Sequence, residues 1–93
     1  MITASTKDGF AVELDEEVMN NAELLDAMAD VQSSDVLALG RAVRLLIGKE
    51  NAKKLYDHLR TEDGRVPIEA LSNAFGELVG SFSAGKNSSS SPN

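Results

Sequence analysis

The chain has 93 residues with a formal net charge of −6, no cysteine and one histidine. That is one small domain, with neither a disulfide framework nor a ligand set for a zinc centre. No charged start precedes an apolar run and no apolar stretch approaches about 18 residues, so neither a signal peptide nor a membrane span is expected.

Charge is distributed unevenly. Residues 1–30 carry eight acids and one base, Lys7, whereas residues 31–60 carry six bases (Arg41, Arg44, Lys49, Lys53, Lys54, Arg60) and three acids. A basic middle segment can face phosphate, with Arg41, Arg44, Lys53 and Lys54 as contacts, but the overall negative charge opposes non-specific nucleic-acid binding. The plainer reading is a set of solvated helix faces that complement the acidic segment. Head-to-tail contact between copies, acidic end to basic middle, is a third.

In chain order, Ile2–Thr6 and Phe10–Leu14 flank Lys7-Asp8-Gly9. Asp-Gly is a strong hairpin signal, and Phe10, Val12 and Leu14 alternate with Ala11 and Glu13 as a half-buried strand does. An isolated hairpin is marginal in water, so this one must pack on helices or pair with another strand. Asp15 caps a short turn through Met19. Asn20 with Glu23 resembles a capping box, and Leu24, Leu25, Met28 and Val31 form the stripe of a first helix ending near Gln32.

Ser34 caps a second helix over about Asp35–Ile47, with Gly48 just past its end. Val36, Leu39, Val43, Leu46 and Ile47 share its apolar face, widened by Leu37 and Leu45, which makes it the central helix. A third helix over Lys49–Arg60 places Ala52, Leu55, Tyr56 and Leu59 at i, i+3, i+4 and i+7. Asp63-Gly64 then turns the chain, and Pro67 starts a fourth helix that ends near Gly80, with Ile68, Leu71, Phe75, Leu78 and Val79 on one stripe. From Ser81 the sequence SFSAGKNSSSSPN offers little to bury and reads as a flexible tail. The fold class is therefore mainly α: about four bundled helices (residues 1–80) with an N-terminal β-hairpin and a disordered tail (81–93).

Chemistry is sparse. Placing Gly64 at the sixth position of an EF-hand loop puts Leu59 at the first and Ala70 at the twelfth, where calcium needs carboxylates. Glu16 and Glu17 are adjacent, which on a helix points them about 100° apart. The seven glycines are dispersed, giving no phosphate loop, and the one imidazole, His58, sits in no nucleophile elbow. No catalytic residue, metal or cofactor is assigned, and the expectation is a binding protein.

Two stretches, KDGFAVELDEEVMNNAELLDAMADV and LGRAVRLLIGKENAKKLYDHLRTEDGRVPIEALSNAFGELV, resemble the tail assembly chaperones of long-tailed bacteriophages and prophages. The shared features are the hairpin opening into an acidic helix start, the Leu45-Leu46-Ile47-Gly48-Lys49-Glu50 junction and the DGRVP turn, and they cover about residues 7–80. The resemblance implies a small helical protein of the bacterial host cytoplasm. It would bind the tape measure protein, keep its apolar helices from aggregating, help recruit tail tube protein and stay out of the virion. It also implies a longer product made by frameshifting, for which the codons of Ala84-Gly85-Lys86-Asn87 are compatible with a slippery run.

Such a client would lie in a groove between helices. Phe75, Leu78 and Val79 are candidate contacts with core as the competing reading, and Phe82, beyond the expected helix end, is the strongest candidate. A homo-oligomer, a helical adaptor domain and a nucleic-acid binder remain as alternatives.

Overall fold

The structure, a computed structural model, describes residues 1–89. It is mainly helical. Strands β1 (Ile2–Ser5) and β2 (Ala11–Leu14) precede α1 (Ala22–Gln32), a 3-10 turn (Val36–Ala38), α2 (Leu39–Ile47), α3 (Lys49–Leu59) and α4 (Ile68–Ser89).

The hairpin is antiparallel with Ile2 opposite Leu14 and Ala4 opposite Val12. The period of two sends Ala4, Val12 and Leu14 into the core and leaves Thr3, Ser5, Ala11 and Glu13 outside. Gly9 takes φ +102°, as the tight connection requires. Thr6 N donates to Phe10 O and Gly9 N to Thr6 O, at 2.8 and 3.2 Å.

Helix α4 packs along β1. Ser81 Oγ accepts from Ser5 N at 3.0 Å and Glu77 Oε1 from Lys7 N at 2.9 Å. These side chains occupy amide donors that an edge strand would otherwise offer to another chain.

Several local expectations shift by a residue or two. The N-cap of α1 is Asn21, whose side chain accepts from Glu23 N, while Asn20 Nδ2 donates to Glu17. Ser34 is no cap: it adopts φ +74° at the end of α1, where Asp35 N donates to Asp30 O at 3.0 Å. Asp35 caps the 3-10 turn instead, accepting from Leu37 N. Winding at three residues per turn breaks the helical phase there, so Val36 and Leu37 are 56% and 89% exposed rather than part of the apolar face.

Gly48, at φ +86°, ends α2 and begins α3 with no loop between them. Asn51 Nδ2 satisfies the carbonyl of Ile47 at 3.0 Å. Pro67 supplies the carbonyl that accepts from Leu71 N at 3.1 Å, just before the first residue of α4.

The largest difference is the end of α4. It was expected near Gly80 and the structure carries it to Ser89, through part of the segment read as tail. No proline interrupts this stretch, and Phe82 falls four residues after Leu78 and seven after Phe75, so one more turn buries a phenyl ring on the same stripe. Residues 90–93 of the expected tail lie outside the described residues.

The core joins Val12 and Leu14 of the hairpin, Leu24 and Ala27 of α1, Val43 and Leu46 of α2, Leu55 of α3, and Leu71, Phe75, Leu78 and Phe82 of α4. Leu25 and Ile68, expected on apolar stripes, are 51% and 61% exposed.

Candidate protein-binding groove

Helix α1 packs on α2 and the 3-10 turn, whereas α4 packs chiefly on the hairpin. Between α1 and α4 runs a groove of about 250 Å³, lined by Met28, Val31 and Gln32 from α1 and by Ser72, Phe75, Gly76 and Val79 from α4. Its volume is below the roughly 300–1,000 Å³ of pockets that enclose small molecules. No lining residue is ionisable. What it offers is apolar contact: a thioether, two valines and one face of a phenyl ring, with Ser72 and Gly76 small enough to let another backbone approach.

The four residues proposed from sequence divide between two faces of α4. Phe75 and Val79 line the groove, Val79 half-buried and Phe75 mostly buried. Leu78 and Phe82, 0% and 2% exposed, turn into the core. Phe82 as a surface contact is therefore corrected: the helix that was expected to stop before it carries it inward. The groove also draws on Met28 and Val31, which sequence periodicity assigns to an ordinary core stripe. Both are half-buried and also pack against the core, so the sequence carries no signal that separates their groove face from ordinary packing.

Ionised groups gather elsewhere. A cleft of about 450 Å³ is lined by Glu23, Asp26, Asp30, Arg41 and Leu45, and within it Arg41 Nη2 bonds Asp30 Oδ2 at 2.9 Å. Arg41, a candidate phosphate contact by sequence, thus sits among carboxylates.

At the hairpin turn, His58 Nε2 lies 3.2 Å from Asp8 Oδ2, and its ring is tilted 47° against Phe10 at a centroid separation of 5.6 Å. Thr6 Oγ1 donates to the same carboxylate, which together with His58 holds the Asp8 pKa below its ordinary value. A serine or threonine nucleophile activated by histidine has its hydroxyl on the imidazole. Here the hydroxyl bonds the carboxylate, and the trio clasps the hairpin to α3.

The Asp63-Gly64 turn repeats this chemistry. Thr61 N donates to Arg65 O and Gly64 N to Thr61 O at 2.8 and 3.0 Å, Gly64 has φ +90°, and the Thr61 hydroxyl donates to Asp63. Thr61 and Arg65 lower the Asp63 pKa. Thr6-Lys7-Asp8-Gly9 and Thr61-Glu62-Asp63-Gly64 are thus one T-x-D-G turn used twice, a repeat that sequence reading passed over. The Met1 ammonium lowers the Glu16 pKa through a 3.0 Å bond. Among the described residues no group of three or more His, Cys, Asp or Glu is arranged to hold a metal ion, and no helix is long and apolar enough to cross a membrane.

No family model, curated protein or solved structure matches the chain.

Proposed function

We propose that the protein is a tail assembly chaperone of a long-tailed bacteriophage or prophage, holding an apolar helix of the tape measure protein in the groove between α1 and α4. The observation that carries this reading is the groove itself, apolar, free of ionisable side chains and flanked by two helices that do not close on each other. The sequence resemblance names the client. Met28 adapts its flexible side chain to varied partners. Phe75 and Val79 give fixed apolar surface for side chains spaced i, i+3, i+4 and i+7.

On this reading the protein works in the host cytoplasm, assists assembly of tail tube protein on the client, and is left out of the virion. A helical adaptor domain for a different partner would use the same groove, and the client separates the two.

The test is co-expression with the large protein encoded just downstream, scored by client solubility and co-purification. The expected result is a soluble complex that Gly76→Leu abolishes. Gly76 is exposed and a Cβ there meets no atom within 4 Å, so the leucine blocks the groove without disturbing the core. A client equally soluble without the protein, or a neighbouring gene that encodes no long helical protein, sinks the chaperone reading.

A further inference from the structure

Asp-Gly occurs twice in the chain, at Asp8-Gly9 and Asp63-Gly64, each time inside the same T-x-D-G turn. This dipeptide has a chemistry of its own. The amide nitrogen that follows an aspartate can attack the side-chain carboxyl carbon and close a five-membered succinimide, and glycine, having no Cβ, hinders the attack least. The backbone must first swing until that nitrogen reaches the carboxyl carbon. A fold that holds the turn therefore slows the reaction.

Local features do not separate the two sites. The Asp8 and Asp63 side chains are 59% and 56% exposed, both glycines have positive φ, and both glycine amides donate to the threonine carbonyl three residues back. Each carboxyl accepts from its threonine hydroxyl and is held below its ordinary pKa. Tertiary contact does separate them. The first turn is tied to two helices, Asp8 to His58 of α3 at 3.2 Å and the Lys7 amide to Glu77 of α4 at 2.9 Å, with Thr6 buried beneath. The second turn is tied only to its neighbours in the chain. Residues 61–65 are all exposed, and every hydrogen bond and ion pair they make among the described residues falls within residues 60–65. Opening this turn leaves the core untouched, whereas opening the hairpin turn breaks its clasp to α3 and α4.

We propose that Asp63 is a site of spontaneous isoaspartate formation in the folded protein and that the clasp protects Asp8. A bond forms between Gly64 N and Asp63 Cγ, and the carboxyl OH leaves with the amide hydrogen as one water. Water then opens the ring. Addition at the side-chain carbonyl restores aspartate; addition at the main-chain carbonyl gives isoaspartate, whose backbone runs through Cβ and Cγ. The connection between α3 and α4 is then one methylene longer, and the bonds from Thr61 N to Arg65 O and from Gly64 N to Thr61 O lose their register.

The test begins with the unaltered full chain, held at neutral pH for weeks in buffer and in guanidinium chloride. Electron-transfer fragmentation of its peptides distinguishes isoaspartate from aspartate at each site. In buffer, isoaspartate at position 63 should form several-fold faster than at position 8, and in denaturant the two rates should converge. His58→Ala, helical by circular dichroism, should raise the rate at position 8 in buffer and leave that at position 63 unchanged.

Equal rates in buffer, or a faster rate at position 8, overturn the proposal. A ratio that survives in denaturant overturns it too, because the difference then belongs to the flanking residues and not to the fold. A His58→Ala chain whose position 8 reacts no faster than in the parent overturns the protection assigned to the clasp.

Discussion

Leu78 and Phe82 carry stability and Leu37 does not, although all three are large apolar residues on helical segments. Leu78 is fully buried, and Leu78→Ala should cost about 2–5 kcal/mol through lost transfer energy and the cavity left behind. Phe82→Ser should cost at least about 3 kcal/mol for the same reason, with a hydroxyl added to the cavity. Leu37→Ser, at a site 89% exposed, should stay within about 0.5 kcal/mol. Urea denaturation of the three variants separates these outcomes; a Phe82→Ser protein as stable as the parent would mean that the ring is not packed.

Charge acts at the same scale through Asp8. Its folded pKa lies below the ordinary 3.8 because the Thr6 hydroxyl and His58 bond the ionised form. The folded state then binds fewer protons there than the unfolded state. The contribution of Asp8 is in place above about pH 3.8 and is lost as the pH falls through the lower folded value. Asp8→Asn should therefore be less stable than the parent at neutral pH, and the difference should shrink in acid. Thermal midpoints between pH 7 and pH 2.5 measure it, and a difference constant across that range would contradict the assignment.

At the scale of elements, glycines in different backbone states should respond with opposite signs. Gly9 and Gly64 occupy φ +102° and +90° in the two T-x-D-G turns, where a Cβ is strained by roughly 1–2 kcal/mol. Gly9→Ala and Gly64→Ala should each destabilise by about that amount. Gly76 lies in mid-helix with open space at its Cβ, so Gly76→Ala should stabilise by about 0.5–1 kcal/mol through lower unfolded-state entropy and better helix propensity. Gly85 sits in the same helix, yet a Cβ there would come within 2.8 Å of Ile2 Cγ2, and the branched isoleucine cannot yield without moving β1. Gly85→Ala should lose the helix gain to that clash. Denaturation midpoints that fail to separate Gly76→Ala from Gly85→Ala would argue against the close approach of β1 to α4.

The elements themselves were legible because their signals are local. Asp8-Gly9, Gly48, Asp63-Gly64 and Pro67 punctuate the chain close to where the structure turns it, and the period-two alternation of Val12 and Leu14 matches their burial. What misled was phase carried across a break. Val36 and Leu37 match a helical stripe on paper, but the 3-10 turn rotates them out of it. The mistaken stop at Gly80 has the converse origin: serine and glycine after a well-marked helix look like a tail, and only Phe82 hints that another turn has something to bury.

For the whole molecule, α4 ties the ends of the chain together. Beyond Gly80, Ser81 bonds the Ser5 amide, Phe82 enters the core, and Lys86 Nζ donates to Glu16 O at 2.9 Å. A chain ended at Gly80 should lose at least the roughly 3–5 kcal/mol of a buried phenylalanine, a large part of the stability of so small a domain. It should also expose the β1 edge that α4 covers, with a lower thermal midpoint and a tendency to associate. A truncated chain that melts with the parent would show that the last turns of α4 are dispensable.

The sequence by itself determined the helical class, the hairpin, the turns and most of the core, because periodicity and turn chemistry act between residues a few positions apart. It also put Phe75 and Val79 on one helix as candidate contacts. Only the tertiary structure decided that these two face a groove with Met28 and Val31 while Leu78 and Phe82 are buried in the core. Pairing one helix face with a particular partner depends on contacts between residues tens of positions apart, and local pattern holds no record of those.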